Sequence, residues 1–94
     1  MVYALIRHKV EDYAKWKPLF DEDSANRKAG GSKGGQLFRN IDNPNEIVML
    51  FEWDDLTKAR SFTKSDELRK AMERAGVTDK PDTYFLEKVE NVIV

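Results

Sequence analysis

The sequence predicts an α+β domain, with an antiparallel four-stranded sheet that carries helices on one face. Two observations lead there. Apolar residues recur with period two in four short stretches and with helical period between them, in the order β-α-β-β-α-β. The stretches are punctuated by Gly, Pro, Asn and Asp where a chain of alternating elements must turn. At 94 residues the chain suffices for one domain, expected over residues 1–94, and is too short for two.

Residues 2–10 are rich in β-branched and aromatic side chains and read as a strand. Val2, Ala4, Ile6, His8 and Val10 share one face, and Tyr3, Leu5, Arg7 and Lys9 share the other. Glu11 and Asp12 open a helical stretch in which Tyr13, Trp16 and Leu19 or Phe20 recur at helical spacing. Pro18 either starts a second helix there or kinks the first. Asp21, Glu22, Asp23, Arg27 and Lys28 are expected on a solvated outer face. The run Gly30 to Gly35 ends the helix and reads as a loop into a short strand at residues 36–40. Its Lys33 is followed by Gly34 and not by Ser or Thr and a helix, so it does not match a phosphate-binding loop.

Asp42-Asn43-Pro44-Asn45 is a turn by composition. Glu46 to Trp53 is the strongest strand, with Ile47, Met49, Phe51 and Trp53 on one face and Val48 and Leu50 on the other. Asp54 or Asp55 caps the next helix, with Ala59, Phe62 and Leu56 pointing inward. Ser65 caps a further helix with the stripe Leu68, Ala71, Met72 and Ala75, ended by Gly76. A last strand is expected over residues 83–91, followed by the apolar tail Val92-Ile93-Val94. The order points to a ferredoxin-like βαββαβ sandwich.

Both faces of the first and third strands are apolar, and helices can cover only one. The expected open face holds Ala4, Ile6, Met49, Phe51 and Trp53. A patch of that size on a monomer is unusual, and a domain this small buries only about two-thirds of its unfolded surface. A two-fold homodimer joined through the open sheet face is the expected solution, with the C-terminal tail reaching across the partner. A chamber between curved sheets is a common ligand site.

Composition excludes several function classes. Lys plus Arg is 16 and Asp plus Glu is 17, a net charge of −1. No strong field draws in nucleic acid, and no apolar run nears the ~20 residues of a membrane span. Nucleic-acid and membrane partners are therefore not expected. Cysteine is absent, which removes disulfides and thiolate chemistry and fits a cytoplasmic protein. With one histidine and no carboxylate pair at convincing spacing, no metal site and no cofactor is expected.

Several segments together resemble a known family. They are the opening Val2-x-Ala4-x-Ile6 and the turn Asp42-Asn43-Pro44, while the stretch Asp12-Tyr13-x-x-Trp16-Lys17-Pro18-x-Phe20-Asp21 is similar to one subgroup of that family, mostly uncharacterised small bacterial and archaeal proteins. To these add the run Val48 to Asp55, then Ala59 and Phe62, then Ser65 to Ala71. The chain is similar over most of its length to the antibiotic-biosynthesis-monooxygenase-like (ABM) branch of the dimeric α/β-barrel superfamily. The resemblance implies a homodimer with one cavity per subunit. Some members oxidise polycyclic aromatic substrates with oxygen and no cofactor; others degrade haem, isomerise lactones or bind signalling molecules. At the positions that hold the iron-ligating His, a helix Trp and a strand Asn in haem-degrading relatives, this chain has Met72, Phe62 and Ile6. Those departures argue against haem degradation. The His that many monooxygenase-like members carry near the position of Phe62 is also missing, while the strand Trp is kept as Trp53.

His8 is the only side chain with a pKa suited to proton abstraction near neutral pH, and alternation places it on the face of Ala4 and Ile6. Its other reading is a hydrogen-bonded residue at a strand end. Trp53, Phe51, Met49 and Ile6 are candidates to hold an aromatic ligand, or are dimer core. Tyr84 can orient a ligand through its hydroxyl, and Arg39 or Arg7 can hold an anionic group. Two functions follow: a cofactor-independent monooxygenase acting on an aromatic or quinone-like molecule, with His8 as base, or a binding or regulatory module without chemistry.

Overall fold

The computed structural model describes residues 2–93. Eight elements follow in order: β1 (Val2–Lys9), α1 (Tyr13–Glu22), α2 (Ser24–Ala29), β2 (Ser32–Arg39), β3 (Glu46–Trp53), α3 (Leu56–Thr63), α4 (Asp66–Arg74) and β4 (Asp82–Glu87). The four strands make one sheet in the order β2-β3-β1-β4, antiparallel throughout. This is the ferredoxin-like arrangement, with two crossovers that place all four helices on one side.

Local chemistry sets the helix ends. Asp12 caps α1 by accepting from the Ala14 amide at 3.0 Å. Asp55 caps α3 through the Thr57 amide at 2.7 Å, and Ser65 caps α4 through the Leu68 amide at 3.2 Å. Each satisfies a donor that the first helical turn leaves free. The Asn45 side chain accepts from the Tyr13 amide at 2.9 Å, tying the start of α1 to the β2–β3 turn. Helix α1 runs through Pro18, and the interruption falls at Asp23 instead.

The expected second strand is longer than its composition suggests. It begins at Ser32, inside the glycine run, with a register shift between Ser32 and Gly35. Gly35 lies so close to β3 that a Cβ there would run into the Leu50 carbonyl oxygen. Gly31, at φ 108°, makes the turn out of α2. The last strand ends earlier than expected, at Glu87. Val89, Val92 and Ile93 beyond it are exposed; Val94 lies outside the described residues.

The pairing of the faces was anticipated, but their assignment is reversed. Ala4 is opposite Phe51, Ile6 opposite Met49 and His8 opposite Ile47. All of them, with Trp53, lie beneath the helices and not on the open face. Ala4, Ile47 and Trp53 are no more than 1% exposed. The open face carries Tyr3, Leu5, Arg7, Val48, Leu50 and Glu52, with Phe38 and the β4 residues Tyr84 and Leu86 beside them. The cause is charge. The covered face of β1 and β3 has no formal charge, whereas Arg7, Lys9, Glu46 and Glu52 all fall on the other, and a helix lid over unpaired charges would be costly. Leu56, expected inward, is 38% exposed.

The core divides into two clusters. Ala4, Trp53 and Ala59 form one, closed over by Phe62 and Phe85. Ile6, Val10, Trp16, Ile47 and Met49 form the other, with Tyr13, Phe20, Leu37 and Phe51 packed against it.

Candidate functional site

The second cluster does not fill the space between sheet and helices. It leaves a cavity of about 90 Å³, several times the ~10–15 Å³ that one water molecule needs. Its floor is Ile6 and His8 from β1 with Met49 and Phe51 from β3. One wall is Trp16, Leu19 and Phe20 from α1, and the opposite wall is the α4 stripe Leu68, Ala71 and Met72. Phe62 and Thr63 from α3, Thr83 from β4, and Asp23 and Arg27 at the α1–α2 junction complete it. The stripe read from the sequence as the apolar face of α4 is thus the cavity wall.

His8 is the chemically distinctive group on that floor. It is 2% exposed, and its Nδ1 is buried with no hydrogen-bond partner among the described residues. The Trp16 ring meets it edge-on at 5.8 Å. Burial pushes its pKa below the ordinary histidine value, against the opposing pull of the Asp79 carboxylate. The imidazole is therefore neutral at pH 7, the form that can take up a proton. Arg7, by contrast, is fully engaged on the open face, where it bonds Glu46 at 2.6 Å and Asp82 at 3.1 Å. Asn40 and Arg7 hold the Glu46 carboxyl below the usual carboxylate range.

Of the residues proposed from the sequence, the structure brings His8, Ile6, Met49 and Phe51 to one cavity. Trp53 stands one layer away. It is buried against Phe62, with ring centroids 5.3 Å apart, and its Nε1 has no partner, so it supports the wall without lining the space. Tyr84 is not at the site: pairing with Leu5 turns it to the open face, where it is 58% exposed. Arg39 is also outside. It is exposed at the end of β2, stacked over the Tyr13 ring at 4.6 Å.

Arg27 and Asp23 are the residues that sequence reasoning missed. Both were expected on the outer face, and both line the cavity. The signal was present: Trp16, Phe20, Asp23 and Arg27 follow helical spacing across the α1–α2 junction. The Arg27 guanidinium stacks 3.8 Å from the Phe20 ring centroid and donates to the Phe20 carbonyl at 2.8 Å. Among the described residues no group of three His, Cys, Asp or Glu side chains is placed to hold a metal ion, and no helix is long and apolar enough to cross a membrane.

Comparison with known proteins agrees with this architecture. No curated protein matches the sequence. A candidate antibiotic biosynthesis monooxygenase from Bordetella bronchiseptica superposes with a TM-score of 0.79 at 15% identity, covering 95% of this chain and 97% of that one. SnoaB, a cofactor-independent oxygenase from Streptomyces nogalater, superposes with a TM-score of 0.76 at 18% identity, over 99% of this chain and 97% of its own. A conserved protein from Methanosarcina mazei Go1 gives 0.71 at 15% identity, over 93% and 91%. At these identities the likeness is one of fold. The family model for antibiotic biosynthesis monooxygenases matches residues 1–74, from β1 through α4, and the chain belongs to that family.

Proposed function

We propose that this protein is a cofactor-independent monooxygenase that acts on a small aromatic or quinone-like molecule. The observation that carries the reading is the buried His8 imidazole on the floor of a cavity whose lining is mostly apolar. A hydroxylated aromatic ring fits the chemistry of the walls, where Trp16, Phe20 and Phe51 supply aromatic surface and Met49 and Met72 adapt to its outline. His8 takes the hydroxyl proton and leaves an electron-rich phenolate. Dioxygen accepts an electron from it, and recombination forms a ring hydroperoxide. Loss of water then leaves a quinone: one oxygen atom enters the ring and the other leaves as water. Desolvation opposes the proton transfer but favours the electron transfer to dioxygen, because an apolar site does not stabilise the phenolate as water would.

Oxygen uptake and quinone absorbance across a panel of phenols and naphthols test this reading. Turnover is expected to fall by about 10²–10⁴-fold in His8→Gln. Turnover unchanged in that variant would rule out His8 as the base.

A binding module without chemistry is the second reading. The missing side-chain partner at Nδ1 favours it, since no carboxylate or other side chain among the described residues bonds that nitrogen as one commonly does in a dedicated base. Ligand-induced thermal shifts without oxygen consumption would decide for it.

In either reading we infer a homodimer formed through the open sheet face. Leu5, Val48, Leu50, Phe38 and Leu86 there offer apolar area to a second copy, at about 25 cal/mol per Å² removed from water. The exposed tail at Val92 and Ile93 is placed by this inference along the partner.

A further inference from the structure

The cavity has two chemically different ends. His8 stands at one, and the Trp16 and Phe20 rings follow in sequence, 4.7 Å apart, until Phe20 meets the Arg27 guanidinium. Arg27, Phe20 and Phe51 also line an outer groove between α2 and β2, so these three side chains are the wall between groove and cavity. Lys28 and Lys33 line the same groove, and Lys33 is taken by Asp54 at 2.8 Å.

Arg27 is an unpaired cation. No carboxylate of the described residues lies within 4.0 Å of it. Of the two acids whose charge it feels, Asp21 is paired with Lys17 at 2.6 Å, and Asp23, which lines the cavity beside Arg27, accepts from the Asn26 amide at 2.6 Å. A guanidinium has five N–H donors, and one hydrogen bond from Arg27, to the Phe20 carbonyl, is present. Stacking and that bond hold the group over the ring instead of leaving it free to extend into water. A half-buried cation with open donors at the rim of a mostly apolar cavity is chemically suited to an anionic group.

We propose that the ligand of this cavity is an aromatic carboxylate, with Arg27 binding the carboxylate at the groove end while the ring lies along Phe20 and Phe51 toward His8. The guanidinium fork matches a planar carboxylate with two parallel hydrogen bonds. This deepens the oxygenase reading and rests on it for the reaction: the substrate class becomes a hydroxyaryl carboxylate with its hydroxyl turned to His8. Arg27 is then the residue that sets specificity, and His8 the one that moves the proton.

The test is calorimetric binding of 4-hydroxybenzoate and of 4-hydroxybenzamide under nitrogen, so that no turnover contributes. The acid is expected to bind the wild-type protein about 10- to 100-fold more tightly than the amide. Arg27→Gln is expected to cut that preference to about two-fold or less, read as the ratio of the two affinities within the variant. Equal binding of the two compounds, binding of neither, or a preference that survives in Arg27→Gln would overturn the proposal. If Arg27→Gln does not fold, the Arg27 Nε–H resonance of the wild type decides. A shift produced by the acid and not by the amide supports the contact, and no shift overturns it. Oxygen uptake is read separately: acid-selective binding without uptake would remove the oxygenase reading and leave the carboxylate site standing.

Discussion

The two faces of the sheet are built from similar apolar residues and have opposite fates. Under the helices, Ala4, Ile47 and Trp53 are sealed. On the other side Phe38 remains 51% exposed and Leu86 41%. The difference teaches that apolar alternation marks a strand as buried without saying which side is buried by its own chain. Charge placement says that. Arg7, Lys9, Glu46 and Glu52 keep their side of the sheet accessible, and Arg7 and Glu46 pair there. A second contrast lies within the covered face. The Trp53 cluster is solid because Ala4 and Ala59 let the Trp53 ring fill the gap between sheet and α3. The Met49 cluster stays open because α4 presents Ala71 and Ala75 among its longer side chains.

The strongest way to break this comparison is to empty the solid side. Trp53→Ala is expected to lose about 3–5 kcal/mol of stability in a denaturant titration. A loss below about 1 kcal/mol would mean that Trp53 does not carry the packing described. Next is the open face. Leu50→Lys is expected to shift light-scattering mass toward a single subunit while leaving the circular dichroism of the fold intact, because it places a charge in the inferred interface. An unchanged mass would dissociate that face from assembly.

Protonation gives a smaller effect, confined to the cavity. Burial lowers the His8 pKa in the folded state, so below the ordinary histidine value of about 6.5 the unfolded chain binds the proton more readily. Stability should be full above pH 6.5 and should be lost as pH falls from there through the depressed folded value. His8→Gln should flatten that part of the melting profile, and an identical slope in the variant would place the titration elsewhere. The same shift puts the acid limb of the turnover profile below pH 6.5. The smallest change is expected at Tyr84→Phe. Its hydroxyl is on the far side of the sheet from the cavity, so turnover should stay within about two-fold and stability within about 0.5 kcal/mol. A larger loss of turnover would show that the open face contributes to the site.

Much of this molecule was legible before any coordinates. The span of β3, the cap at Ser65, a cap at Asp54 or Asp55 that the structure assigns to Asp55, the stop at Gly76 and the α4 stripe depend on neighbours a few residues away, and local rules describe them well. The grouping of Ile6 with His8 followed from the pleat alone. Arg27 was obscured because Asp23 and its charged neighbours suggest a solvated helix end, although the guanidinium continues the row of Trp16 and Phe20. Tyr84 and Arg39 were misplaced because their distance from the cavity depends on which strand each one pairs with.

The amino-acid order by itself determined which residues alternate, where helices begin and end, and that more apolar sheet exists than four short helices cover. Tertiary structure decided which side the helices take, that the space beside His8 stays open, and that Arg27 turns inward to meet it. The physical reason is range. Period, capping and turn chemistry act over a few residues, whereas the side of a sheet and the volume left beneath a helix follow from long-range pairing and from how well distant side chains fill a shared space.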